Sequence, residues 1–259
     1  SDVYKRQIQK FKELEVQRVN VSIDGPDSET HDEFRGVAGA FEKTIRGVNA
    51  LVKAGITVDA SICINKFNHK KIKQILQLMR DLRVNDFKIW PIRFSGRAAE
   101  KDLFVTPEEF RTVMEAVREF EFEELGKTGK EEYKYSKRLE NCGIGSNRLV
   151  IKSNGVVTPC LSLEEDVSLG NIREQSVADI WNNSELLNRL RVMSVYETEI
   201  CRDCELAAVC KGGCIAEIYR ETGTFSCYDK YDCVAFEVTK NDYIYVEEDD
   251  SRSRFLSME

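Results

Sequence analysis

The apolar positions in the first half of the chain switch repeatedly between a period of two and a helical period. "RVNVSI" (18–23) alternates Val19, Val21 and Ile23 and breaks at Asp24-Gly25-Pro26, the pattern of a strand that runs into a turn. "AFEKTIRGVNALVKAG" then sets Phe41, Ile45, Val48 and Leu51 at helical spacing, with Gly55 as a C-terminal stop. "ITVDASICIN" is rich in β-branched residues and predicts a second strand. "HKKIKQILQLMRDL" predicts a helix with Ile72, Ile75, Leu76 and Met79 on its apolar face and Asn68 as its cap. "DFKIWPIRF" predicts a third strand. "TPEEFRTVMEAVREFEF" predicts a helix that opens with Thr106, Pro107 and Glu109, a capping box with proline at the first helical position.

Three strand-plus-helix units beginning near residues 18, 56 and 86 imply an α/β fold with a parallel sheet, open or rolled into a barrel. Such folds place their chemistry at the C-terminal ends of strands. Here those ends carry Ser22, Asp24 and Gly25, then Cys63 and Asn65, then Arg93, Ser95, Gly96 and Arg97. Arg93 and Arg97 suit an anion or an ordinary surface equally. Cys63 reads as a small buried hydrophobe, Trp90 and Trp181 as core, and His31 and His69 as helix-start residues.

The charged stretch 122–141 lacks an apolar period, and every cysteine except Cys63 lies beyond it. The expected organisation is one domain over 1–125, a linker over 126–141, a cysteine-rich domain over 142–240 and a polar tail over 241–259. Inside the second domain, "RLVIKSNGVVTPC" predicts a β-hairpin, with Asn154-Gly155 supplying positive φ angles and Cys160 at its far end. "SVADIWNNSELLNRLR" predicts a capped helix carrying Ile180, Leu187 and Leu190 inward.

Composition narrows the chemistry. The chain has 259 residues, 42% hydrophobic, with a formal net charge of −7. It contains no apolar run long enough to span a membrane and no clustered basic stripe, so neither a membrane nor nucleic acid is expected as partner. The N-terminus lacks a signal-peptide core, so a cytoplasmic location with reduced thiols is expected. Nine cysteines against two histidines then favour metal ligation by sulfur over disulfides. "CRDCELAAVCKGGC" (201–214) suits a CxxC-based iron–sulfur site, and tetrathiolate zinc remains open on spacing alone.

The order Cys142-x12-Gly155-x4-Cys160, a long gap, Cys201-x2-Cys204-x5-Cys210-x3-Cys214 and a final cysteine resembles the SPASM domain. That domain carries auxiliary iron–sulfur clusters at the C-terminus of a class of radical S-adenosylmethionine (radical SAM) enzymes. "VSIDGPDSETHDEFRGVAGAFEKTIRGVNALVKAGI" is similar to the fourth strand and helix of the radical SAM barrel, and "FKIWPIRFSGRA" to its sixth strand. The resemblance runs from residue 18 to about 236. It implies the C-terminal portion of a (β/α)6 partial TIM barrel, about strands four to six, followed by a small cysteine-rich domain. It further implies two auxiliary 4Fe–4S clusters. Cys201, Cys204, Cys210 and Cys233 would hold the outer one; Cys142, Cys160 and Cys214 would hold the inner one. Cys227 stands as an alternative to Cys233 or as a fourth inner ligand. Ser22, Asp24, Arg35 and Asn65 are the implied contacts to S-adenosylmethionine. The implied partners are a peptide or small-molecule substrate and an external electron donor such as flavodoxin or ferredoxin.

The CxxxCxxC motif that holds the catalytic third 4Fe–4S cluster is not in this sequence, whose only cysteine before Cys142 is Cys63. The expectation is therefore the C-terminal part of a longer maturase, with this chain alone unable to cleave S-adenosylmethionine. Sulfatase-maturing members carry an acidic residue directly after the hairpin cysteine, where this chain has Leu161. That departure points to peptide modification, or to a tetrapyrrole-directed reaction as the alternative substrate class. The alternatives from another class are a non-catalytic binding module stabilised by zinc or iron–sulfur, and an electron-transfer module.

Overall fold

The computed structural model describes residues 2–93, 98, 102–125, 131–134, 144–239 and 243–246. Its contacts divide the chain into two units, Ser1–Lys127 and Thr128–Glu259. Among the described residues, no helix is long and apolar enough to cross a membrane. The chain is mixed α/β, as the pattern predicts.

The first unit opens with helix α1 (Asp2–Glu13) and strand β1 (Arg18–Ser22). Helices α2 (Ser28–Arg35) and α3 (Ala40–Lys53) lead to β2 (Thr57–Ile64). Then come a 3-10 turn (His69–Lys71), α4 (Ile72–Asp81), β3 (Asp86–Pro91) and α5 (Pro107–Leu125). The strands are parallel in the order β1-β2-β3, with Ser22 opposite Ser61 and Cys63 opposite Trp90. On one face Val58, Ala60, Ile62 and Ile64 are buried, together with Val48 and Leu51 of α3 and Ile75, Leu76 and Met79 of α4. Each such side chain contributes about 2 kcal/mol relative to exposure. The alternate positions form a polar face. There Arg18 Nη1 meets Asp59 Oδ2 at 2.7 Å, and Asn20 Nδ2 donates to Ser61 Oγ at 2.9 Å.

Trp90 belongs to this polar face and is 55% exposed, which corrects its reading as core. Side-chain direction alternates along a strand, so Trp90 shares its side with Lys88 rather than with Ile89. The apolar run "DFKIW" had hidden that parity.

Helix α2 contains His31, in keeping with its reading as a helix-start residue, in a stretch for which the sequence pattern gives no bounds. Asp27 caps it by accepting the Thr30 N–H at 2.8 Å. The capping box of α5 forms as expected: Thr106 N–H donates to Glu109 Oε2 at 2.7 Å, and Glu109 N–H donates to Thr106 Oγ1 at 3.1 Å. Asn68 makes no capping bond to the helix that follows it, because its amide is engaged elsewhere.

In the second unit β4 (Glu131–Lys134) pairs in parallel with β8 (Tyr243–Val246), so the stretches read as linker and tail each hold a strand. The hairpin β5 (Val150–Ile151) and β6 (Val156–Thr158) continues to β7 (Gly170–Asn171). Gly155 takes φ +88° and Asn154 does not adopt a positive φ, a correction to the expected turn. The single helix expected over 176–192 is two, α6 (Val177–Asn183) and α7 (Glu185–Val192). Ser184 ends the first with extended backbone and caps the second, accepting the Leu187 N–H. Short helices α8 (Glu199–Arg202) and α9 (Ala207–Cys210), then α10 (Ile215–Thr222) and α11 (Lys230–Thr239), carry the cysteine-rich part.

Candidate metal centre and strand-end site

At the C-terminal end of the sheet the chain assembles a buried polar network around Asp24, which is 0% exposed. Asp24 Oδ1 accepts the Cys63 N–H at 2.7 Å, and Oδ2 forms an ion pair with Arg35 Nη2 at the end of α2. The Asp24 N–H donates to His31 Nδ1 at 3.1 Å, and its carbonyl accepts from Asn68 Nδ2 at 2.9 Å. Asn68 Oδ1 accepts the Asn65 N–H at 2.8 Å. Asn65 spends its own amide locally, donating to the Cys63 carbonyl and accepting from the Phe67 N–H, both at 2.9 Å. A carboxylate removed from water needs such compensation, and the network supplies it from β1, β2 and α2 together.

Of the four residues expected to contact cofactor, the structure brings Asp24, Arg35 and Asn65 into this one network. Ser22 stands on the polar face of the sheet and is exposed. Asp24 and Asn65 are enclosed, so a ligand at the strand ends would meet Ser22 and Arg35. Burial, reinforced by Asp24, pushes the Cys63 thiol up to about 12. Burial lowers the His31 imidazole below its ordinary value, in keeping with an Nδ1 that accepts a hydrogen bond. Sequence reasoning missed His31 and Asn68 as parts of the site; each reads locally as a helix-start residue, and only the fold reveals the partner. Arg97, Ser95 and Gly96 lie outside the described residues.

In the second unit the described cysteines are free thiols, six of them in two groups with Cys227 beside them. Cys201, Cys204, Cys210 and Cys233 line one small cavity whose remaining walls include Val195, Ile200, Leu206, Ala207 and Phe236. Cys227 is not among its lining residues. Its carbonyl accepts from Cys201 Sγ at 3.4 Å, and it borders a separate cleft of about 680 Å³ with Ile144, Met193 and Tyr196. Cys160 and Cys214 instead pack on the apolar cluster of Ile144, Leu163, Val167, Leu190, Ile215 and Ala216. Cys142 lies outside the described residues.

The turn between Cys210 and Cys214 separates the groups. Lys211, Gly212 and Gly213 all have positive φ, at 52°, 80° and 82°. A Cβ on Gly212 would lie 2.5 Å from Cys227 Cβ, and one on Gly213 would lie 2.4 Å from Asp229 Cβ. Only glycine permits both this backbone and this approach. Burial raises the Cys201 thiol, with Cys204 adding to it, and pushes Cys214 up to about 11, with Asp229 and Asp232 adding to it. Loading either group with metal therefore displaces protons. Among the described residues, no three Cys, His, Asp or Glu side chains converge as a single ion would require. An all-sulfur donor set around a shared apolar space, with glycine backbone close by, fits an iron–sulfur cluster.

Comparison with known proteins agrees. Residues 142–205 match the SPASM iron–sulfur cluster-binding domain, and residues 1–79 match the radical SAM superfamily. The AdoMet-dependent heme synthase of Methanosarcina barkeri (strain Fusaro / DSM 804) is 30% identical over 241 residues, covering 84% of this chain and 68% of the relative. The chain belongs to the radical SAM/SPASM family. AdoMet-dependent heme synthase of Oleidesulfovibrio alaskensis is 31% identical over 83% of this chain and 60% of its own length. The subtilosin biosynthesis protein AlbA of Bacillus subtilis (strain 168) is 32% identical over 76% of this chain and 44% of its own. Among solved structures, anSMEcpe with bound AdoMet and Cp18Cys peptide superposes with a TM-score of 0.65 at 17% identity, over 90% of this chain and 69% of that one. These neighbours have the partial TIM-barrel fold of the family. Family membership implies iron–sulfur clusters and AdoMet as cofactors. The chain spans 60–68% of the length of the heme synthases that it matches.

Proposed function

We propose that this chain forms the substrate-side barrel strands and the auxiliary-cluster domain of a radical SAM maturase that modifies a peptide. The observation that carries the reading is the shared cavity of Cys201, Cys204, Cys210 and Cys233, apart from the group of Cys160 and Cys214. Two groups support two auxiliary 4Fe–4S clusters: the first held by those four thiols, the second by Cys160 and Cys214, joined by Cys142. A bound auxiliary cluster supplies a one-electron donor or acceptor and iron for ligation. The residues of the chain do the rest. Val195, Leu206 and Phe236 wall the cavity on which the four thiols meet. Arg35, steadied by Asp24, offers its remaining N–H groups to a carboxylate of the cofactor, and Ser22 offers a hydroxyl beside it. An external one-electron donor such as flavodoxin or ferredoxin completes the system.

Peptide substrates are supported by relatives named for them: AlbA, a PqqA peptide cyclase at 27% identity, and the sporulation killing factor maturation protein SkfB at 31%. The heme synthases at 30–31% identity support a second reading, a tetrapyrrole substrate. Incubation of the complete enzyme with a candidate precursor peptide or with an iron porphyrin, followed by mass spectrometry, separates the two.

Anaerobic reconstitution of the chain followed by iron, acid-labile sulfide and zinc analysis tests the cluster reading. Iron and sulfide in equal amounts are expected. Zinc without sulfide sinks it and leaves a zinc-stabilised binding module. Cys233→Ser should lose about four iron atoms per chain, and Cys227→Ser should retain them. No 5′-deoxyadenosine is expected from the chain alone, since its sequence has no CxxxCxxC.

A further inference from the structure

Asp229 stands where three cysteine-bearing segments meet. It is 4% exposed. Its N–H donates to the Gly212 carbonyl at 2.8 Å, which fastens the turn between Cys210 and Cys214. Its Oδ1 accepts the N–H groups of Tyr231 and Asp232, at 3.0 and 3.2 Å, which caps α11. Its carbonyl accepts the Cys233 N–H at 2.9 Å. The Asp229 Cβ fills the space that a side chain on Gly213 would occupy, and Asp232 Oδ2 lies 3.0 Å from the same point. The charge of Asp229 also acts on the Cys214 thiol from within the protein.

A helix cap of this kind is ordinarily met by a neutral oxygen as well as by a carboxylate, and serine or asparagine caps about as effectively as aspartate. The shape of the cap is therefore separable from its charge, which the helix N-terminus also favours. A buried negative charge between two thiol groups, however, disfavours each added electron at either group, and low local dielectric strengthens that effect.

We propose that Asp229 is a positioning residue for both cysteine groups, and that its fixed charge holds down the reduction potentials of the clusters bound there. This rests on the cluster reading above. Asp229 lines the four-thiol cavity and has no ligating role in this account; it acts through Cys233, through the Gly212-Gly213 turn and through space.

The test is a redox titration, followed by electron paramagnetic resonance, of the anaerobically reconstituted full chain and of Asp229→Asn. Asparagine keeps the shape and the cap and removes the charge. The expected result is unchanged iron content and helix content. At a fixed ambient potential, the reduced-to-oxidised ratio should rise about tenfold for at least one cluster, about 59 mV for a one-electron couple. Asp229→Ser, a second uncharged cap, should shift in the same direction. Wild-type potentials in both variants at full iron content overturn the proposal and leave Asp229 a simple cap. Unfolding of both variants by circular dichroism overturns it too, since the residue would then serve the fold alone. A wild-type chain without acid-labile sulfide fails the cluster reading instead, before any variant is compared.

Discussion

Asp24 and Arg35 form an ion pair in which the acid is enclosed and the base is 37% exposed at its side chain. The two partners are therefore not equivalent. Removing the arginine strands a buried carboxylate, whereas removing the acid leaves a guanidinium that can turn to water. Arg35→Ala should cost on the order of 2–3 kcal/mol of stability, and Asp24→Asn should cost less, because asparagine still accepts the Cys63 N–H. The double variant should be more stable than Arg35→Ala alone. Urea unfolding of the three variants, followed by tryptophan fluorescence and circular dichroism, checks the order.

His31 gives the first unit a pH dependence. The unfolded imidazole binds its proton near 6.5, and the folded one only at lower pH. Between those points the unfolded chain holds the extra proton, so stability falls as pH drops below about 6.5. Protonation would also set a second donor against the Asp24 N–H. His31→Asn, which keeps an acceptor near the Nδ1 position, should flatten the profile. Urea midpoints at pH 7.5 and 5.5 provide the comparison.

Cys63 should be inert in the native chain. With its thiol pushed up to about 12, about one molecule in ten thousand carries the thiolate at pH 8. Brief iodoacetamide treatment of the metal-loaded chain, followed by peptide mass spectrometry, should leave Cys63 unlabelled and label it fully after denaturation. Rapid native labelling would contradict the burial that the network imposes.

Gly212→Ala should be more damaging than an exposed glycine substitution. The new methyl would meet Cys227 Cβ at 2.5 Å and its Cα at 2.9 Å, on a backbone with φ +80°. The cost should exceed about 2 kcal/mol. Gly223→Ala shares the left-handed backbone, φ +74°, but meets nothing within 4 Å. Gly223→Ala should therefore retain reconstituted iron, and Gly212→Ala should lose part of it.

The elements legible in the sequence were those governed by neighbours in the chain. The β1 alternation, the α3 and α4 stripes and the Thr106–Glu109 box depend on residues within a few positions of one another, and each appears where the pattern places it. Helix α2 was legible only through His31 as a helix-start residue, because Asp24-Gly25-Pro26 signals a turn strongly and the weaker Asp27 cap follows directly on it. Trp90 was misplaced because an aromatic residue in an apolar run carries no sign of its face until register with Cys63 is known. The pairing of 131–134 with 243–246 joins segments over a hundred residues apart, and no local composition announces it. The strand-end network is likewise non-local: Asp24 meets Cys63 across 39 positions and Asn68 across 44. Cysteine spacing revealed a metal-binding family, while the gathering of Cys201, Cys204, Cys210 and Cys233 on one cavity required the folded chain.

The run of three left-handed residues between Cys210 and Cys214 fixes more than a change of direction. Four residues apart on a continuous helix, two thiols would face the same side and compete for one site. Here the three left-handed residues leave Cys210 on the four-thiol cavity and Cys214 on the apolar cluster of Ile144 and Leu163. The division of these two thiols between the two groups is thus set locally, by the turn that joins them.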